Sequence, residues 1–303
     1  MTKILITGSR GFLGSNLSHF FSGNKQYDIF RTSRSGKTGV KNTEQFFLGN
    51  LLDTAFVEDL ISTIEPDVVF NTVSLVNVDL CEENPAMAEK IIVDTGRILA
   101  ETLPKKCHLI HISTDQLFDG QKPMYTESDT PAPLNVYGAM KLKAEDTILR
   151  VNPHAAIIRT NFFGWSPEYH PPTFAEWIYD NLVQKKPITL FTDLYFSPIE
   201  VTYLSAALES IMHAGFGGIL NLVGSERCSK YAFGMALAEK FNLDPSTITA
   251  SKVLPGSFKA KRQMDLSLST RKYETLFGQQ LPGLEENLSR FYKNRNIRPS
   301  LNS

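Results

Sequence analysis

Three glycines at intervals of three, Gly8, Gly11 and Gly14, follow an opening apolar run, Lys3–Thr7, and lead into a helical stretch, Gly14–Phe21. Such glycines permit a tight turn, bring backbone close to a pyrophosphate and let a helix pack closely on a strand. The helix N-terminus that follows points N–H groups at the phosphates. Placed after the first strand and before an amphipathic helix, the spacing predicts a dinucleotide-binding turn. Gly8, Arg10, Gly11, Phe12, Leu13 and Gly14 are its candidate cofactor contacts.

The rest of the first two-thirds fits this start. Short apolar runs at Tyr27–Thr32, Asp67–Asn71, His108–Ser113 and Ala155–Arg159 read as strands. They alternate with helical patterns at Thr54–Ile64, Pro85–Glu101 and Val136–Arg150. Near-continuous apolar strands separated by helices predict an α/β fold, a doubly wound parallel sheet covered on both faces. Beyond Gly164 the texture changes: Pro167, Pro171 and Pro172 interrupt the pattern, then Thr173–Gln184 reads as a helix and Ile188–Thr192 as a short strand. Val201–Ala214 and Ile219–Val223 look like a helix and strand of the main sheet, and the chain from about Gly224 is helix-rich with a polar tail at Asn294–Ser303. The expected organisation is a dinucleotide-binding domain at 1–163 and 196–224, with a smaller, discontinuous α+β substrate lobe at 164–195 and 225–303.

The second strand carries information about the cofactor. NAD-preferring folds usually end it with an acid that holds the ribose hydroxyls. Here it ends Phe30-Arg31-Thr32-Ser33-Arg34, with no acid. Arginine suits a 2′-phosphate through paired, charge-assisted bonds, so NADPH is expected rather than NADH, with Arg31, Ser33 and Arg34 as contacts. That both arginines are solvated surface charges stays open at this level. Asn50, Leu51, Val73 and Ser74, which follow strands at the sheet's carboxyl edge, are the expected adenine and ribose contacts.

The chemistry is expected one strand further on. His108–Ser113 runs into Thr114 and Asp115, and Tyr137 follows at the head of a helix with Lys141 four residues on, on one helix face. A phenol is a weak unassisted acid, and a neighbouring ammonium stabilises its phenolate. The pair is suited to giving a proton to a carbonyl oxygen as hydride reaches the carbon, and Thr114 could hydrogen-bond the same oxygen. Tyr137 is the only one of ten tyrosines with a lysine four residues on.

Charge and cysteine usage exclude other classes. A formal net charge of -1 offers no electrostatic reason for nucleic acid or an anionic membrane as partner. Cys81, Cys107 and Cys228 are too widely spaced for a CxxC pair. Cys107, His108 and His111 alternate in facing along a strand and have no further ligand cluster, so no metal site is expected. No apolar run reaches membrane-spanning length, and no leader pattern precedes the first strand. The expected compartment is the cytoplasm.

At this point the chain resembles the extended short-chain dehydrogenases, and within them the dTDP-4-dehydrorhamnose reductase family. The resemblance rests on Ile4–Gly14, Asn77-Val78-Asp79-Leu80-Cys81-Glu82 and Ile112-Ser113-Thr114-Asp115-Gln116-Leu117-Phe118-Asp119-Gly120. It continues through Leu134-Asn135-Val136-Tyr137, Lys141, Glu145, Ile158–Gly164, Phe196-Ser197-Pro198, Gly218–Leu222 and Leu266–Thr270. It implies an NADPH-dependent reductase of the 4-keto group of a nucleotide-linked 6-deoxysugar. Thr114, Tyr137 and Lys141 match the catalytic positions, and Lys141 would also hold the nicotinamide ribose. Val78, Thr114, Gln116 and Phe162 match places around the sugar, and Arg262 lies in a segment that closes over the nucleotide.

Three departures stand out. Gln116 replaces a frequent aromatic residue beside the sugar, Ile92 occupies a position usually held by a structural asparagine, and Gln263 follows Arg262 where proline is usual. A relative of the family, the regulatory β subunit of methionine adenosyltransferase, is similar around the same Tyr and Lys, so a non-catalytic, NADP-binding regulatory subunit is the alternative. An epimerase-reductase like GDP-fucose synthase would need a cysteine where Asp115 stands. A dehydratase would need a glutamate where Gln116 stands. A homodimer is carried as an expectation on no particular feature.

Overall fold

The computed structural model describes residues 1–34, 45–167, 171–254 and 256–297; the last part of the expected polar tail, 298–303, lies outside them. Up to residue 159 the elements are β1 (Thr2–Thr7), α1 (Phe12–Ser22), β2 (Tyr27–Ser33), β3 (Phe46–Leu48), α2 (Thr54–Ile64), β4 (Val68–Asn71), α3 (Val78–Glu83), α4 (Pro85–Glu89), α5 (Thr95–Thr102), β5 (His108–Ile112), α6 (Val136–Val151) and β6 (Ala156–Arg159). There follow β7 (Phe162–Phe163), α7 (Phe174–Val183), β8 (Ile188–Phe191), β9 (Tyr195–Phe196), β10 (Ile199–Glu200), α8 (Val201–Ala214), β11 (Gly218–Asn221), β12 (Cys228–Ser229), α9 (Lys230–Lys240), β13 (Ile248–Ser251), α10 (Arg271–Phe277) and α11 (Leu284–Lys293). The chain divides into two compact units. Met1–Thr114, Asn135–Ile158 and Leu208–Ile219 form the first; Asp115–Leu134, Arg159–Ala207 and the chain from Leu220 form the second.

A seven-stranded sheet in the order β11-β6-β5-β4-β1-β2-β3 dominates the first unit, and the expected doubly wound α/β fold is present. Its register matters for function. Thr7 lies beside Thr32 and Asn71, and Asn71 beside His111, all in parallel pairing. The strands therefore end level, and the loops after β1, β2, β4 and β5 emerge at one edge. Side chains alternate across the pleat, so Leu5, Val69, Leu109 and Ile157 meet Leu60, Ile61, Leu99 and Ile148 of α2, α5 and α6. On the other face Phe21 of α1 stacks on Phe70, ring centroids 5.4 Å apart.

Two local features differ from the sequence reading. Pro85–Glu101 reads as one helix, but the structure splits it into α4 and α5 around a π-helical turn at Lys90–Asp94. Apolar periodicity does not register one extra residue in a turn, and such wide turns are frequent at functional sites. The strand expected before Asn50 is β3, and the short α3 lies outside the sequence reading; six residues are too few for a period to show.

The second unit has an aromatic core. Trp165 stacks on Phe291 with centroids 4.2 Å apart, and its Nε1 donates to the Phe291 carbonyl at 2.8 Å. Phe163 meets Phe233 and Phe291 edge-on. β8 pairs in parallel with β13, a strand inside the stretch that read as helix-rich. No helix among the described residues is long and apolar enough to cross a membrane. Phe291 is fully buried and touches three other rings, so Phe291→Ala should cost about 3–5 kcal/mol. Urea denaturation checks this as a lower midpoint at unchanged slope.

Candidate active site

The glycine turn adopts the geometry its spacing predicts. Gly8 has φ +64°, and the Gly11 N–H donates back to the Gly8 carbonyl at 2.8 Å. A Cβ on Gly14 would lie 2.4 Å from the Gly8 carbonyl oxygen and 2.8 Å from Ser9 Cα, so no larger residue lets α1 approach this closely. Gly11 stands at the helix N-cap in extended conformation and supplies no capping side chain.

Beside the turn, at the carboxyl edge of the first unit, opens a pocket of about 220 Å³. Of the expected cofactor contacts, Gly8, Ser33, Arg34, Asn50, Leu51, Val73 and Ser74 line it. Arg10, Gly11, Phe12, Leu13, Gly14, Arg31 and Lys141 do not. Arg31 instead sets its guanidinium over the Phe46 ring, 5.8 Å from the centroid. Gly49, expected at this edge together with Asn50 and Leu51, lines it as well; Thr32, Leu52, Leu75, Ile91 and Thr95 also line the pocket and were missed. Ile91 and Thr95 reach it only because the π-helical turn and the start of α5 pack against the sheet edge.

This pocket fits a phosphorylated dinucleotide. Among the described residues no Asp or Glu lines it, and the exposed Arg34 stands at its wall. The buried hydroxyls of Thr32 and Ser74 have no hydrogen-bond partner among the described residues. Buried polar groups are normally satisfied, so these two await a ligand or water.

The reactive side is built around α6. Asn135 caps the helix by accepting from the Gly138 N–H at 2.8 Å, while Glu82 accepts from the Val136 N–H at 2.7 Å. The cap puts Tyr137 in the first turn, 7% exposed, with Lys141 one turn later, 2% exposed. Lys141 Nζ donates to the Ile112 carbonyl, the last of β5, at 2.9 Å. Burial brings its ammonium down from 10.5 to about 8, against the opposing pull of Glu145 and then Cys81. Thr114, 5% exposed, is two residues past that carbonyl.

A buried polar layer lies around this lysine. The Ser113 hydroxyl donates to Glu145, one turn beyond Lys141. Thr7 Oγ1 donates to Asn71 Oδ1 at 2.9 Å, and the Asn71 amide meets His111 Nδ1 at 3.0 Å. Burial, then the Lys141 charge, hold His111 well below its usual range, so the imidazole is neutral. Glu145 belongs to the resemblance but had no assigned role; its i, i+4 spacing from Lys141 was the available signal. Ile92 is fully buried in the π-helical turn, which therefore forms without the usual asparagine.

The expected sugar-site residues fall in both units. Val78 opens α3 in the first. Gln116, Phe162 and Arg262 belong to the second: the Gln116 carbonyl accepts from Gln263 Nε2 at 3.1 Å, Phe162 lies on β7, and Arg262 sits over the Phe258 ring. The Asn161 amide donates to the carboxylate of Asp115, tying the loop after β5 to the start of β7. Among the described residues no three His, Cys, Asp or Glu side chains gather as a metal site.

A family model described as RmlD substrate binding domain matches residues 1–297. Methionine adenosyltransferase 2 subunit beta from Pongo abelii is 30% identical, over 94% of this chain and 87% of its own. A hypothetical dTDP-4-dehydrorhamnose reductase from Sulfolobus tokodaii is 30% identical with a TM-score of 0.80, over 93% of this chain and 97% of that one. A Bacillus anthracis dTDP-4-dehydrorhamnose reductase solved in complex with NADP is 22% identical with a TM-score of 0.86, over 97% and 100%; this last likeness concerns the fold.

The buried lysine yields a test independent of any substrate. Lys141 releases its proton near pH 8 when folded and near 10.5 when unfolded. Between those values the unfolded chain holds more protons, so stability rises with pH; below pH 8 the cost of burying the charge is at its full size. Relative to Lys141→Met, the native protein should gain on the order of 3 kcal/mol across this window. Urea titrations of both proteins at pH 7.5 to 10.5 measure it, and parallel curves would place the ammonium in water.

Proposed function

Because the chain belongs to the RmlD substrate binding domain family, with the fold of the NAD(P)-dependent short-chain dehydrogenases/reductases, we propose that it reduces the 4-keto group of a nucleotide-linked 6-deoxysugar with NADPH. The observation that carries this reading is Tyr137 one helical turn before a lysine whose buried ammonium is held on the last carbonyl of β5. NADPH, when bound, supplies the hydride. Gly8, Ser33, Arg34, Asn50, Leu51, Val73 and Ser74 would hold it, with Arg10, Gly11, Phe12, Leu13 and Gly14 shaping the phosphate turn. Arg34 would take the 2′-phosphate, with no acid among the described lining residues to compete.

Tyr137 gives its hydroxyl proton to the sugar carbonyl oxygen, and Thr114 donates a hydrogen bond to the same oxygen. Lys141 stabilises the phenolate left on Tyr137 and holds the nicotinamide ribose. The Ser113–Glu145 pair sits behind Lys141 as a positioning group. Val78, Gln116, Phe162 and Arg262 are assigned to the substrate. In the division proposed, residues 1–163 and 196–224 serve the cofactor, and 164–195 and 225–303 the substrate. The proposed compartment is the cytoplasm, consistent with three free, buried cysteines.

The 30% identity to a methionine adenosyltransferase β subunit supports a second reading, an NADP-binding regulatory subunit. Turnover separates the two. NADPH oxidation over a panel of nucleotide-linked 4-keto-6-deoxysugars should occur with native protein, and Tyr137→Phe should lower it by about a hundredfold or more. Tight NADPH binding without turnover, together with stimulation of a methionine adenosyltransferase catalytic subunit, would favour the second reading. On either reading Arg34→Ala should shrink the preference for NADPH over NADH by about tenfold or more, measured by fluorescence titration with both cofactors.

A further inference from the structure

Lys230 is expensive where it stands. It is the first residue of α9, at the positive end of the helix dipole, where a cation is disfavoured. It is partly buried, and its Nζ lies over two ring faces, 3.2 Å from the Phe196 centroid and 4.5 Å from that of Phe174. The Lys230 N–H donates to the Leu194 carbonyl, and Cys228 and Ser229 pair with β9, so the backbone fixes the side chain's origin. Among the described residues no hydrogen bond or close ion pair engages Nζ. The titratable groups that face it are the Asp115 carboxylate, from the loop after β5, and the Cys228 thiol on β12, which burial pushes up to about 12 and so keeps neutral.

The neighbouring cation shows what a structural solution looks like. Arg227 lies over the Tyr195 ring at 3.5 Å and also pairs with Asp265 at 2.7 Å. Lys230 has the ring contacts without the paired oxygen. A partly buried ammonium seated on ring faces with no close carboxylate keeps its N–H donors for a partner from outside the chain, and a perturbed ionisable group so placed is a functional candidate. Its surroundings indicate what it meets: Asp115 precedes Gln116, and Asn161, which holds Asp115, precedes Phe162.

We propose that Lys230 is a substrate-binding residue that, with Asp115, recognises a hydroxyl group of the sugar. This rests on the nucleotide-sugar reading above. An ammonium and a carboxylate together carry no net charge and present both donor and acceptor, which matches a hydroxyl; a diphosphate would be attracted by the lysine and repelled by Asp115. The aromatic faces of Phe174 and Phe196 hold the ammonium without consuming its donors.

The test is ligand binding by calorimetry on the full chain, with dTDP-L-rhamnose and dTDP as probes and NADPH titration as a check of the cofactor site. Lys230→Met should weaken dTDP-L-rhamnose by about tenfold or more, the loss of a charged hydrogen bond, and leave dTDP and NADPH binding unchanged. An equal loss for dTDP would make Lys230 a phosphate ligand and overturn the hydroxyl assignment. Unchanged affinity for both would make it a structural cation.

The native protein supplies a second measurement that needs no folded variant. Burial brings the Lys230 ammonium down to about 8, so the affinity gained from the sugar should fall as pH rises through that value. In Lys230→Arg, whose charge does not titrate, the gain should persist, and a pH-independent gain in the native protein overturns the proposal. If native protein binds dTDP-L-rhamnose no better than dTDP at neutral pH, the sugar-site reading fails and the proposal with it. Binding of the sugar that is indifferent to Lys230 sinks the proposal alone.

Discussion

An ammonium withdrawn from water beneath the end of β5 is the constraint to which the surroundings of α6 answer. Burying a charge costs several kcal/mol unless its neighbours compensate. Lys141 has the Ile112 carbonyl as acceptor and Glu145 one turn along as counter-charge, itself held by Ser113. The neighbour that could add positive charge is kept neutral: His111 is held uncharged by burial and by the lysine. The result is a lysine fixed in place with its charge balanced by protein rather than solvent, the condition under which it can bias a nearby phenol.

Strand register carries the same precision to the pocket beside the glycine turn. Because β1, β2, β4 and β5 end level, Gly8, Ser33, Thr72 and Ser113 leave the sheet at one edge. Each loop then contributes to one surface, although these residues are spread over more than a hundred positions in sequence. The Gly8–Gly14 contact sets how closely α1 can approach, and the π-helical turn sets where Ile91 and Thr95 meet the pocket. Neither would tolerate much drift, since a side chain at Gly14 collides with backbone rather than with a flexible side chain.

Much of what makes the chain resemble its family is structural. Phe118 stacks on Tyr125 at 4.3 Å between centroids, and the Arg159 guanidinium lies over the Phe118 ring, 5.5 Å from its centroid. The Tyr125 hydroxyl donates to Asp119, while its backbone exchanges hydrogen bonds with Ser267 and Ser269. The blocks at Ile112–Gly120 and Leu266–Thr270 therefore tie one loop to another. Likeness in them speaks for the fold, and the proposed reduction rests on the few residues at the end of β5 and the head of α6.

The sequence by itself determined the alternating α/β plan, the glycine turn and the Tyr137–Lys141 pair, because each is written in short-range spacing: period two, period 3.6, or a turn of fixed length. It also placed an arginine where a ribose-binding acid would stand. Tertiary structure decided which arginine faces the pocket, setting Arg34 in its wall and Arg31 over Phe46, since adjacent strand side chains and the loop beyond them depend on what packs alongside. It decided that Pro85–Glu101 is two helices around a wide turn, and that β13 joins β8 within a stretch that reads as helical. It also brought Lys230 to Asp115, 115 positions away in sequence. Local propensity and periodicity act over a few residues; burial, charge pairing and strand partnership are set by segments the chain brings together only when it folds.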